Sequence, residues 1–144
     1  KYDYQFDILT LHKTNPMPLF NNSYMNDTEY IMYFREKGVC FNGDYNSSKK
    51  YFLTAIGGHP DDRPKHPTIK PLEQVKNFIY NSSKEGDIIL DPFMGSGTTG
   101  VACEELNRKF IGYEINKEYY DLAKNRIMED NQEFSLYDYM RNNK

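Results

Sequence analysis

Apolar positions along this chain recur with two periods, and the change from one to the other marks two kinds of element. Residues 5–13, "QFDILTLHK", and residues 29–37, "EYIMYFREK", mix β-branched and aromatic residues with polar ends, which predicts two strands. The segment between them, "TNPMPLFNNSYMND", carries two prolines and four asparagines and reads as a loop. From Gly38 to Pro67 periodicity is lost among Gly, Asn, Pro and charge. That predicts a loop-rich surface insert with one short strand at Lys50–Ile56.

The second half of the chain is more regular. In "KPLEQVKNFIY" (Lys70–Tyr80), Pro71 suits a first helical turn, and Leu72, Val75, Phe78 and Ile79 form an apolar stripe. "IIL" (Ile88–Leu90) is short and wholly apolar, as expected of a strand buried in a parallel sheet. Thr98–Arg108 reads as a helix with Val101, Ala102 and Leu106 inward, and "KFIGYEI" as the next strand. Asn116 can cap a helix in which Tyr119, Ala123 and Ile127 recur every fourth residue. Helix, strand, helix, strand, helix from 70 to 127 is α/β architecture. The expected organisation is a single partial domain over 1–144, with the insert at 38–67, a core at 68–128 and a loose polar tail at 129–144.

Composition adds limits. With 144 residues the chain has the length of one domain, and 38% hydrophobic against 15% aromatic residues implies a modest core built from rings. No apolar run is long enough to span a bilayer and no signal-peptide pattern is present, so a cytoplasmic protein without membrane contact is expected. Cys40 and Cys103 lack metal-ligand spacing and read as reduced thiols. The net charge is -3, yet Arg35 to Lys76 holds eight Lys/Arg against five Asp/Glu. A basic middle of that kind suits a DNA-facing insert, and scattered surface charge suits it equally well. Lys49 and Lys50, amid aromatics in "YNSSKKYF", suit phosphate contacts with stacking, and an exposed strand with solvated lysines fits them equally. His59, Asp61, Asp62 and His66 are metal-ligand types without helical spacing, and no metal site is expected of them.

The chemistry concentrates in "DIILDPFMGSGTTGVACEELNRKFIGYE" (Asp87–Glu114). Gly95 to Gly100 match G-x-G-x-x-G, a loop that lets a ligand approach backbone at a helix N-terminus. Glu114, nineteen residues after Gly95, stands where an acidic side chain accepts ribose hydroxyls. A Walker A loop is excluded because no Lys follows Gly97 or Gly100. Asp91-Pro92-Phe93-Met94 separates the apolar run from the first glycine, unlike the dinucleotide fingerprint. A carboxylate there would repel a pyrophosphate and attract a cation, which favours S-adenosylmethionine over NAD. Asp91 as a plain turn former is the alternative.

The stretch "DPFMGSGTTGVACEELNRKFIGYEINKEYYDLAKNRI" resembles motifs I and II of the amino-methylating DNA methyltransferases, which make N6-methyladenine or N4-methylcytosine. "HPTIKPLEQVKNFI" resembles their motif X, which in the β arrangement precedes motif I. "LHKTNPMP" and "TEYIMYFREKG" resemble segments that follow their catalytic motif, so the likeness covers about Phe6 to Ile127. It implies a Rossmann-like S-adenosylmethionine-dependent α/β fold, of restriction-modification or phage type, acting on double-stranded DNA. It also implies that Asp91, Phe93, Gly95, Gly97 and Thr98 surround the methionine and adenosine moieties and that Glu114 takes the ribose. His66, Pro67, Thr68 and Lys70 would form a further wall, although Lys70 could equally be a helix-start residue.

The same resemblance exposes a gap. The family's catalytic motif is Asp, Asn or Ser followed by Pro-Pro and an aromatic residue, which holds and stacks a flipped base. This sequence contains no Pro-Pro. The expected fold is therefore incomplete, without the central strand that leads into that motif, and no catalytic residue is assigned. The partner implied is the missing amino-terminal methyltransferase segment or a homodimer mate. The rival readings are a non-catalytic cofactor- or DNA-binding module and, most weakly, an NAD-dependent oxidoreductase.

Overall fold

The computed structural model describes residues 4–16, 24–55 and 69–128. They fall into two compact units, Lys1–Arg63 and Pro64–Lys144. The first unit is a three-stranded sheet of β1 (Tyr4–Lys13), β2 (Thr28–Glu36) and β3 (Tyr51–Thr54), in the order β2-β1-β3. β1 pairs antiparallel with β2 from Tyr4↔Glu36 to His12↔Thr28, and parallel with β3 from Thr10↔Tyr51 to Lys13↔Thr54. Two strands thus match the sequence pattern to within a residue. The short third strand proves to be an integral part of the sheet rather than an outlying piece of insert.

This sheet is apolar on both faces. Leu11 is buried, and Leu9, Ile31 and Tyr33 are partly so, on one side. On the other, Phe6, Ile8, Met32, Phe34 and Leu53 are all more than half exposed. The Phe6 and Phe34 rings, directly paired across the strands, stack at 6.0 Å. Two apolar faces are what a sheet in the middle of an α/β layer structure needs.

The second unit contains α1 (Leu72–Ser82), β4 (Ile88–Asp91), α2 (Thr98–Glu105), β5 (Lys109–Gly112) and a last helix, α3, over 117–128. β4 and β5 are parallel, in register from Ile88↔Lys109 to Asp91↔Gly112. Pro71 is the N-cap of α1 in extended geometry, one position before the helical turn expected of it. Ile79, Ala102 and Cys103 form the core, with Leu72, Val75, Ile89, Leu106 and Phe110 packed on them. One face of the β4-β5 ribbon is thereby covered. Ile88 and Leu90, on the opposite face, are about 60% exposed. The expectation of a fully buried strand is therefore corrected: period-2 geometry sends alternate side chains of "IIL" to the bare side.

Arg108 joins the two helix ends. Its Nε and Nη2 donate to Ser83 Oγ (3.1 Å) and Ser83 O (2.9 Å), and Nη1 donates to Leu106 O. Ser83 and Leu106 are the C-caps of α1 and α2, so one buried guanidinium satisfies carbonyls at two helix C-termini, where the dipole favours a cation. Asn116 caps α3 as expected, its Oδ1 accepting from the N–H of Glu118 (2.9 Å) and Tyr119 (3.2 Å). The tail at 129–144 and the segment holding His59, Asp61, Asp62 and His66 lie outside the described residues.

Candidate functional site

The carboxyl ends of β4 and β5 open onto the glycine loop. Pairing continues beyond the ladder, with Tyr113 N donating to Asp91 O (2.9 Å) and Met94 N to Tyr113 O (2.9 Å). Pro92, which has no N–H, stands at the point where β4 stops. The loop then closes as a turn, Gly97 N donating to Met94 O at 2.9 Å. Gly95 and Gly97 have φ of 51° and 79°, a region that glycine enters without penalty. Gly97 is the left-handed N-cap of α2, and it rests against α3: a Cβ there would lie 2.9 Å from that of Ala123.

Three side chains tie the loop down from different elements. Glu114 Oε2 accepts from Gly95 N (3.1 Å) while Oε1 accepts from Asn116 N (2.9 Å). Asp91 Oδ1 accepts from Phe93 N (3.0 Å), and its Oδ2 accepts from the Thr99 hydroxyl (2.6 Å). Arg126, from α3, donates to Ser96 O (2.8 Å) and reaches Ser96 Oγ and Thr98 Oγ1 (3.3 Å each). Beside the loop lies a cavity of about 360 Å³ lined by Pro92, Phe93, Tyr113, Glu114 and Ile115. That is within the range of small-ligand sites. Phe93 and Ile115 project almost fully exposed at its rim.

Of the residues singled out from sequence, Asp91, Phe93, Gly95, Gly97, Thr98 and Glu114 are brought together here. Asp91 makes the turn-forming contact that was one of its two readings. Thr98 is buried, with its hydroxyl 3.3 Å from Arg126 Nη1. Lys70 is described and exposed, whereas His66, Pro67 and Thr68 lie outside the described residues. In the first unit Lys50 forms an ion pair with Asp7, and Lys49 sits 5.7 Å from the Tyr45 ring centroid. The charge of Lys50 is thus already matched within the sheet. Among the described residues no group of three His, Cys, Asp or Glu is placed to hold a metal, and no helix is long and apolar enough to cross a membrane.

Sequence reasoning passed over Thr99 and Arg126. Thr99 stands one residue from a named position, so nothing but the helix phase separates them. Arg126 carries a usable signal, because it lies three residues after Ala123 and so shares a face with it.

A glycine loop between a parallel strand and a helix, with an acidic residue closing the next strand, defines a nucleotide-cofactor-binding α/β protein. The particular family follows from comparison. The chain belongs to the DNA methylase family of N6 and N4 amino-methyltransferases, whose model matches residues 4–125. It is 36% identical over 135 residues to the type II methyltransferase M2.MboI of Moraxella bovis, covering 85% of this chain and 50% of that protein. M2.DpnII of Streptococcus pneumoniae is also 36% identical, with 86% and 51% covered. The chain therefore spans about half the length of these relatives. Among solved structures, M1.HpyAVI in its complex with SAM superposes with a TM-score of 0.71 at 39% identity, covering 84% of this chain and 62% of that one. The cytosine-N4-specific PvuII methyltransferase, at 16% identity and a TM-score of 0.66, shares the fold. The fold is thus an incomplete α/β methyltransferase fold.

Proposed function

We propose that this chain is the S-adenosylmethionine-binding part of a restriction-modification or phage-type DNA methyltransferase. The methyl group would go to the exocyclic amino group of adenine (N6) or cytosine (N4) in double-stranded DNA. The observation that carries this is the convergence of Glu114 and Asp91 on the glycine loop beside one cavity. The residues fit the cofactor. Each Glu114 oxygen accepts one backbone N–H and keeps a lone pair for a ribose hydroxyl. Phe93 and Ile115 offer apolar surfaces to an adenine ring. Asp91 retains a negative charge suited to the ammonium of the methionine moiety. When bound, the cofactor supplies an activated methyl group on a sulfonium; the residues here bind and orient it. His66, Pro67, Thr68 and Lys70 are proposed as a further wall of the pocket, by their likeness to motif X.

A second reading is a module that holds cofactor or DNA but needs another polypeptide for chemistry. It is favoured by one feature of the sequence: these 144 residues contain no Pro-Pro, so they lack the family's means of holding a flipped base. The partner proposed is a polypeptide carrying the amino-terminal methyltransferase segment, or a second copy. Lys49 remains a proposed phosphate contact, and Lys50 a weaker one.

Calorimetric titration of the chain with S-adenosylmethionine, its demethylated product and NAD tests the cofactor assignment. Binding of the first two and silence with NAD is expected. NAD binding with S-adenosylmethionine silent overturns it.

A further inference from the structure

The glycine loop does little to determine its own backbone. Ser96 is flanked by Gly95 and Gly97, both at positive φ, and glycine reaches other conformations as readily as these. Something outside the loop must choose one. Two of its three side-chain ties come from residues assigned to the ligand, Asp91 and Glu114, whose carboxylates would also serve a cofactor. The third comes from Arg126, which is not among the residues lining the cavity.

Arg126 belongs to the last turn of α3, where that helix's own dipole favours a cation, yet its guanidinium is aimed at another helix. Arg108 occupies the C-termini of α1 and α2, where the helix dipole favours a cation. Arg126 meets Ser96 and Thr98 at the N-terminus of α2, the end where a cation opposes the dipole. The dipole of α3 favours a cation at this position but does not aim it at the glycine loop. What Arg126 gains is the buried Ser96 carbonyl, through a charge-assisted hydrogen bond of 2.8 Å. Holding that carbonyl fixes the Ser96–Gly97 peptide plane. It thereby fixes the turn in which Gly97 N–H meets Met94 O, and the direction in which the first N–H groups of α2 point. The same face of α3 supplies Ala123, small enough to let Gly97 rest on the helix.

We propose that Arg126 is a positioning residue that holds the glycine loop in its ligand-receiving shape and so sets cofactor affinity without contacting the cofactor. The effect on affinity rests on the reading of this loop as an S-adenosylmethionine site; the effect on the loop does not. Two substitutions and two readouts separate these. Arg126→Met keeps an unbranched apolar stem and removes every donor, whereas Arg126→Lys keeps the charge and a donor but not the planar fork.

Hydrogen exchange of the ligand-free chain is followed over residues 95–99 and, as an internal control, over β4 and α1. The Met variant is expected to exchange about tenfold faster in the loop with unchanged control segments. The Lys variant is expected to fall between it and the parent. Titration with S-adenosylmethionine should show roughly tenfold weaker binding for Met and about threefold for Lys, equivalent for Met to about 1.4 kcal/mol. Loop exchange and affinity equal to the parent in both variants overturn the proposal. Uniformly faster exchange in every segment of the Lys variant also overturns it, because the arginine would then serve only general stability. If the Met variant does not fold, the Lys variant decides. If the parent chain binds no S-adenosylmethionine, the functional reading fails, and loop exchange alone decides whether Arg126 is the clamp.

Discussion

Glu114 carries two duties with one carboxylate. It accepts the Gly95 N–H and, in the proposed function, the ribose hydroxyls. Glu114→Gln retains one acceptor for Gly95 but loses the charge, and hydrogen bonds to charged groups are worth about 1.5–3 kcal/mol. A loss of roughly tenfold or more in S-adenosylmethionine affinity is expected by calorimetry. An unchanged dissociation constant would reduce Glu114 to a loop tie. Gly97 is constrained differently. Its φ of 79° costs a residue with a Cβ about 1–2 kcal/mol, and the Ala123 contact adds overpacking of about 1–3 kcal/mol. Gly97→Ala should lower the urea midpoint accordingly. Gly95, whose φ is also positive, was legible as a glycine requirement from the motif. The reason Gly97 cannot change was not, because Ala123 lies on an element 26 residues away.

At the scale of elements, the strands and helices were readable because periodicity and punctuation agreed. Pro71, Pro92 and Asn116 each stand at an element end in the structure. What periodicity could not show is how the ends are joined. Arg108 entered the sequence reading only as the last residue of a helix, yet it is buried between the C-caps of α1 and α2. Arg108→Met leaves the Ser83 and Leu106 carbonyls without this donor, at about 1–3 kcal/mol for each carbonyl so stranded. Denaturant unfolding of Arg108→Met against Arg108→Lys would show the larger loss for Met. Cys103 was assigned only as a reduced thiol, and its depth was not apparent. Burial, with Glu104 adding to it, pushes its pKa up to about 11 from 9.0. The folded chain therefore keeps the proton longer than the unfolded chain does, and stability falls as pH rises from about 9 through about 11. Cys103→Ala should flatten that part of the stability curve. In the native state at pH 8, Cys40 should react with iodoacetamide well before Cys103 does.

At the scale of the whole molecule, each unit presents apolar surface that its own elements do not cover. Phe6, Ile8, Met32 and Phe34 do so in the first, and Ile88 and Leu90 in the second. Exposed apolar patches of this kind mark interaction surfaces. The sequence had indicated an incomplete sheet through the absent Pro-Pro motif, but not that both faces of β1 and β2 would be apolar. In the basic middle, two of the lysines have carboxylate partners. Lys50 is paired with Asp7, and Lys76 with Glu73 (3.3 Å) and Glu105 (2.5 Å). Charge counted along a sequence does not show which charges are already neutralised by partners on neighbouring strands and helices. In the proposed function labour is divided: the cofactor would be held by these residues and the target base by groups they do not contain. Transfer of labelled methyl from S-adenosylmethionine to mixed-sequence duplex DNA tests that division most directly. The assay uses this chain alone and then with a polypeptide carrying the Pro-Pro-aromatic segment. No incorporation by the chain alone, and incorporation once that segment is supplied, is the predicted result. Robust incorporation by the chain alone would contradict it.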